Sequence, residues 1–259
     1  MLALPLLLAA AISLQATELR RLPAPDADQG VASDGRHVYA IDSHTIAKLD
    51  AASGRQVARW DGDPAHFKHI NSCTVEDSTL ICAASNYPDV PMASMIERFD
   101  ARDLHHIGTQ ALPGDYGSLT WVLKHQGSWW ACFANYDGKG GKPGRDHRFT
   151  ALVRYDRNWH VLAEWRFPES VLDRMAPRSA SGGGWGKDGL LYVTGHDRPE
   201  LYAMRVPHGG GVLEHIATIG MPTGGQAIDW NRGAGRVLWS IERKTKELVA
   251  SRIPAVPAR

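Results

Sequence analysis

The sequence predicts an all-β protein, a five-bladed β-propeller closed by pairing of its N-terminal strand with its last blade, and three observations carry the prediction. Gly at 26, Pro at 15 and Trp at 9 in 259 residues mean many turns and large aromatic core residues, which favours short strands over long helices. Five segments, starting about 40 to 65 residues apart, share one pattern: a Gly or small polar residue, a short apolar strand, a tight polar turn and a second, more strongly apolar strand. Each segment is followed by a third strand and, in the first four units, by a fourth, and four strands per repeat make a propeller blade.

Taken in order, the first two strands of each unit lie in QGVASDGRHVYAID from Gln29, HINSCTVEDSTLICAASN from His69, GSLTWVLKHQGSWWACFAN from Gly117, SGGGWGKDGLLYVTGHD from Ser181 and GGQAIDWNRGAGRVLWSIE from Gly224. The third strands are TIAKLD from Thr45, MIERFD from Met95, ALVRYD from Ala151, ELYAMRV from Glu200 and ELVASRI from Glu247. Fourth strands follow as QVARWD from Gln56, HIGTQAL from His106, VLAEWRF from Val161 and VLEHIATI from Val212. The fifth unit stops after its third strand, because Pro254 and Pro257 break further pairing before the chain ends at Arg259. The segment TELRRLP, residues 17–23, has no partner of its own and supplies the missing strand, sealing the ring and leaving only outer edges open. A β-sandwich gives no reason for five similar units with a partial last one.

Composition also limits the partners. With 29 basic and 28 acidic residues the formal charge is +1, and no long Lys/Arg run occurs, so nucleic acid is not expected. The apolar run MLALPLLLAAAISLQA, residues 1–16, is too short to span a membrane and ends in small residues, as a secretory signal peptide does. It lacks a basic n-region, so a misplaced start codon or a buried N-terminal segment is the alternative. The expectation is export to the periplasm or secretion after removal of 1–16, leaving residues 17–259 as one propeller domain. No stable membrane insertion follows, because no other run of roughly 18 apolar residues exists. A monomer is expected.

Loop lengths indicate the working face. In a propeller the first-to-second and third-to-fourth turns share one face, and here they are short, as at Asp34-Gly35, Asp188-Gly189 and Ser53-Gly54. The other face carries the long stretches 61–68, 86–94, 136–149 and 168–181, and elaborated loops on a rigid scaffold are where sites are built. Side chains at the starts of first strands (Gln29, His69, Asn71, Ser118, Ser181, Gln226) and at the ends of second strands (Asp42, Asn86, Asn135, His196, Asp197, Glu242) are placed at the channel mouth on that face. A polar rim can simply be solvated, but polarity repeated directly after buried strands points to a ligand or metal site.

Within that set, His196 beside Asp197 is the candidate proton-transfer pair, since a carboxylate fixes an imidazole's tautomer and raises its basicity, with Glu242 as a second catalytic candidate. Gln29, His69, Asn71, Asn86, Asn135 and Gln226 are expected to position polar substrate atoms, with Tyr87, Tyr136 and Trp185 as a stacking wall. Asp42, Asn86, Asn135 and Glu242 offer oxygen ligands that suit a divalent cation such as calcium in the central channel, water being the alternative occupant. The basic stretch KGGKPGRDHR, 139–148, offers charge to an anionic ligand and reads equally as a solvated loop. No Gly-x-Ser-x-Gly, P-loop or HExxH motif occurs. Cys73 and Cys82 oppose each other across one hairpin, as a disulfide or as two buried thiols, and Cys132 is expected in the core.

The run Leu191-Tyr192-Val193-Thr194-Gly195-His196-Asp197-Arg198-Pro199-Glu200-Leu201-Tyr202-Ala203-Met204 resembles a segment of the plant-type glutaminyl cyclotransferases, themselves five-bladed propellers. Gln29-Gly30 and GGQAIDW from Gly224 are similar to further segments of that family. This chain departs from the pattern where His196 stands for the family's Lys and Arg198 for its Trp, and Asn71-Ser72 occupy the region of its second-blade Glu-Gly. The runs GSLTWV, WWACFANYD and VTGHDRPELY also resemble exported bacterial proteins labelled cycloisomerases. Both resemblances imply small-molecule chemistry of cyclotransferase, isomerase or lyase type on this fold. Two function classes therefore stand: an exported enzyme acting by acid/base chemistry on a small polar substrate at the channel mouth, or a non-catalytic propeller binding a peptide, glycan or protein through its loop-rich face.

Overall fold

The computed structural model describes residues 14–233 and 235–257. It is an all-β, five-bladed propeller. Blade 1 runs outward from Gly30–Ser33 through His37–Asp42 and Thr45–Asp50 to Gln56–Asp61. Blade 2 comprises His69–Glu76, Thr79–Ser85, Ser94–Asp100 and His106–Leu112. Blade 3 comprises Ser118–His125, Ser128–Ala134, Ala151–Tyr155 and Val161–Arg166. Blade 4 comprises Gly182–Trp185, Leu191–Thr194, Glu200–Arg205 and Glu214–Gly220. Blade 5 takes Asp229–Trp230, Val237–Glu242 and Glu247–Arg252 from the C-terminal part of the chain and Thr17–Pro23 as its outer strand. The inner strands touch in sequence round the axis, the last meeting the first.

Period-two alternation explains why strands such as LICAAS are apolar throughout. In blade 2, Leu80, Cys82 and Ala84 pack toward blade 1, while Ile81 and Ala83 pack toward blade 3. Every blade therefore buries both faces, and the core is five apolar layers, one between each pair of neighbouring blades. The layer between blades 3 and 4 is the most aromatic, with Trp130 and Trp165 stacked at 5.1 Å between ring centroids. Cys132 lies in that layer, and Cys73 is joined to Cys82 by a disulfide across the first hairpin of blade 2.

The tight turns come from repeated local chemistry. Asp50 and Asp100 end their strands, Asp156 directly follows its own, and each accepts a backbone N–H two or three residues on, at 2.7, 2.7 and 2.8 Å, which bends the chain back toward the fourth strand. Asp34 and Asp188 sit in the Asp-Gly turns and each accepts the hydroxyl of a buried tyrosine, Tyr39 at 2.9 Å and Tyr192 at 2.7 Å. The turn is thereby locked to the strand that follows it.

Three departures from the sequence expectation concern edges. Val212 does not begin the fourth strand of blade 4; Gly209, Gly210 and Gly211 all have positive φ and turn the chain so that Gly211–Val212 runs parallel to Val161–Arg166 of blade 3. Within the expected loop 168–181 lies a short helix, Glu169–Met175, whose Val171, Leu172 and Met175 cover the layer between blades 3 and 4. Of the expected leader 1–16, residues 1–13 lie outside the described residues, while Leu14–Gln15 pair in parallel with Ile219–Gly220 at the edge of blade 4. No helix among the described residues is long and apolar enough to cross a membrane.

Candidate functional site

A cavity of about 280 Å³ opens at the channel mouth on the face of the long loops. Ring geometry supplies most of its wall. Gln29, His69, Asn71, Ser181 and Gln226 all come from the starts of inner strands or the residues leading into them, with Thr120 one turn of the pleat deeper on blade 3. The inner segment of blade 5 passes very close to its neighbours: a Cβ at Gly30 would lie 2.4 Å from the Cβ of Ala227, and one at Gly182 would lie 2.7 Å from its Cα. Glycine at those two positions lets Gln226 and Ala227 reach the axis, where the Ala227 N–H donates to the Gln29 carbonyl at 3.1 Å and Thr194 donates to the Gln226 carbonyl at 2.6 Å.

One side of the cavity is aromatic. The His69 ring lies 5.1 Å from Tyr87, which lies 5.3 Å from Tyr136. Burial pulls the His69 imidazole down to about 4, so it is neutral at ordinary pH, and its Nδ1 is 3.0 Å from the Ser43 hydroxyl. Burial pushes the Tyr136 phenol up to about 12, so it remains a neutral hydroxyl. Asn71 forms the floor, donating to the Leu119 carbonyl at 2.8 Å.

The opposite side carries His196. Its Nδ1 is 2.6 Å from Oδ1 of Asp197, and its Nε2 is 3.5 Å from Nη1 of Arg243. A guanidinium can only donate, so this network assigns the proton to Nδ1 and leaves the Nε2 lone pair toward Arg243 and the cavity. Gln226 donates to the His196 carbonyl at 3.1 Å and holds that backbone in place. Arg243 is itself held by Asp28 at 3.1 Å, and Lys246 pairs with the other oxygen of the same carboxylate. Burial opposes ionisation of Asp28, but Lys246 and Arg243 outweigh it and keep the carboxyl below its ordinary range.

The site thus gathers Gln29, His69, Asn71, Tyr87, Tyr136, Ser181, His196 and Gln226 from the sequence candidates, with Asp197 behind His196. The remaining candidates lie elsewhere, each for a local reason. Asp42 accepts the N–H of Ser43 and Glu242 accepts the N–H of Lys244, so both carboxylates serve their own hairpin turns. Asn86 closes the 86–93 loop through the Ala93 N–H and the Pro91 carbonyl. Asn135 is buried and donates to the carbonyls of Tyr116 and Phe149. These four, the expected calcium ligands, stand apart on separate blades and none lines the cavity. Trp185 ends the inner strand of blade 4 and so belongs to the opposite face, stacked on His125 at 4.2 Å. Close carboxylate and imidazole clusters among the described residues are Asp100–Asp103–His105 at a turn of the opposite face and Asp137–Asp146–His147 in the loop above blade 3; neither includes those four.

Three cavity residues, Thr120, Arg178 and Arg243, are absent from the sequence candidates, and the two arginines bring charge. Arg178 follows the short helix, and Arg243 begins the turn after Glu242. The only sequence signal for them is their position in connections on the long-loop face.

No protein-family model matches the chain, and no curated protein matches it in sequence. Among solved structures it is similar to a luciferin-regenerating enzyme, with a TM-score of 0.54, 10% identity and coverage of 93% of this chain and 97% of that one. It is also similar to the pyrroloquinoline-quinone-bound aldose sugar dehydrogenase of Streptomyces coelicolor, with a TM-score of 0.53, 13% identity and coverage of 94% and 83%. At these identities the likeness concerns the fold, and function has to be argued from the cavity.

Proposed function

We propose that the chain is an enzyme that moves a proton on a small polar molecule held in the channel mouth, with chemistry of cyclotransferase or cycloisomerase type. The observation that carries this reading is the His196 imidazole at the cavity wall, with Asp197 at 2.6 Å on Nδ1 and Nε2 facing inward. In that tautomer Nε2 accepts a proton from substrate, Asp197 favours the imidazolium that forms, and the same nitrogen then returns the proton to a leaving or rearranged atom. Gln29, Asn71 and Ser181 supply amide and hydroxyl groups to orient polar atoms, and Tyr87 and Tyr136 supply a flat wall. Export is part of the proposal, supported by the apolar run 1–16 and by the Cys73–Cys82 disulfide, which persists in oxidising compartments.

The test is product formation, followed by NMR, from glutaminyl dipeptides and small lactones incubated with the protein. Turnover that falls by roughly 10²-fold or more in His196→Gln with an unchanged melting temperature supports the reading. Full turnover in that variant defeats it. Saturable binding without product favours the non-catalytic alternative.

A further inference from the structure

The proposed cavity reading leaves the ligand's chemical class open, and the distribution of charge on the wall narrows it. The wall carries two guanidiniums, Arg178 and Arg243, and no carboxylate. Their situations differ. Arg243 already has Asp28 as counter-ion at 3.1 Å. Arg178 is half-buried and makes no side-chain hydrogen bond or ion pair among the described residues. Two acids bordering its segment are engaged: Glu200 is paired with Arg174 at 2.5 Å and Asp137, whose N–H meets the Pro177 carbonyl, with His147 at 2.7 Å, while Asp173 and Glu169 of the preceding helix are exposed.

A partly desolvated guanidinium without a counter-ion is unfavourable unless something supplies the charge. Nor is Arg178 on a loose loop. Its N–H donates to the Met175 carbonyl at 2.9 Å, and the next residue, Ser179, is buried with its hydroxyl 2.5 Å from that of Thr150. The group is held at the cavity edge with its donors unmet. One unbalanced positive charge matches a monoanion, and the planar fork of a guanidinium matches the two oxygens of a carboxylate; a phosphate dianion would leave charge uncompensated. At about 30 Å³ of liquid volume per water, the cavity replaces roughly nine waters, enough for a small organic acid.

We propose that the cavity takes a small organic carboxylate, its carboxylate group docked on Arg178 and its remainder lying along Tyr87 and Tyr136 toward His196. The proposal rests on the cavity being the ligand site and does not require that His196 transfer a proton.

Isothermal titration of the full chain with the monoanions acetate, propionate and lactate, with their primary amides, and with inorganic phosphate tests it. At least one carboxylate should bind with 1:1 saturation and its matched amide at least tenfold more weakly. Arg178→Gln should weaken that carboxylate tenfold or more at an unchanged melting temperature, because the side chain holds nothing in the fold, and Arg178→Lys should fall between. Binding that survives Arg178→Gln, a preference for phosphate or for amides, or no binding by any carboxylate overturns the assignment. If His196 proves dispensable for turnover while carboxylate binding still needs Arg178, the proton-transfer reading fails and this one stands. Should Arg178→Gln not fold, the lysine variant alone decides: unchanged affinity and selectivity there count against the fork geometry.

Discussion

Nη1 of Arg21 lies 3.0 Å from Oε2 of Glu247, across 226 residues of sequence, in the strand pair that closes the ring. Directly alongside, Leu22 opposes Leu248, and both are buried in the layer between blades 5 and 1. The ion pair is only partly covered and is screened by solvent, whereas the leucine is core, so the two should contribute unequally to closure. Leu22→Ala is expected to lower unfolding stability by about 2–4 kcal/mol, and Arg21→Ala by under about 1 kcal/mol, in urea titrations. Equal losses would mean that closure depends on the charge pair.

That closing strand was readable from the chain because a missing fourth strand in the last unit and an unpartnered TELRRLP at the other end demand each other. The starts of inner strands were readable for a similar reason: a ring about an axis leaves them nowhere to point but the mouth. The ends of second strands were readable only in blade 4, at His196, because Asp42 and Glu242 sit where a hairpin turn offers nearer backbone N–H groups than the channel does. Arg178 and Arg243 escaped notice because connections have no period, and a long side chain reaches the cavity from a backbone position that no pattern marks. The parallel pairs at Leu14–Gln15 and Gly211–Val212 are two residues each, too short for alternation to register.

Asp197 should matter less than the imidazole it touches. Its side chain is 64% exposed, so water can replace part of its effect on His196. Asp197→Asn is expected to reduce turnover by roughly tenfold, against 10²-fold or more for His196→Gln. An asparagine variant as inactive as the histidine variant would show that Asp197, despite its exposure, is what fixes the productive imidazole tautomer.

The Cys73–Cys82 bridge closes a short loop, with a sequence separation of 9, so chain-entropy arguments limit its contribution to about 2–3 kcal/mol. Cys73→Ala/Cys82→Ala should fold to the same near-ultraviolet dichroism spectrum and unfold at lower urea, by no more than that amount. Failure to fold would place blade 2 under tighter dependence on the bridge than its buried apolar strands imply.

The pH dependence of stability should be set by two buried groups with opposite slopes. Asp229, on the inner strand of blade 5, accepts the Ser33 N–H at 3.0 Å with Arg232 at 3.4 Å, and burial outweighs both to push its carboxyl up to about 6. His69 is pulled by burial down to about 4. Each shift means that the fold prefers the neutral form. For Asp229 the contribution is full below its unfolded value near 3.8 and is lost as pH rises through about 6; for His69 it is absent below about 4 and grows as pH rises to its unfolded value near 6.5. Each limb corresponds to about 3 kcal/mol, so they largely cancel between pH 4 and 6. Asp229→Asn should expose the rising limb, to which His125 and His215, also held low by burial, add with the same sign. Its stability at pH 6.5 relative to pH 4 should therefore exceed the wild type's difference by about 2 kcal/mol, read from urea midpoints across that range. His69→Gln should tilt the curve the other way, and the double variant should return it to the wild-type slope. Parallel wild-type and Asp229→Asn curves would mean that Arg232 keeps Asp229 ionised throughout.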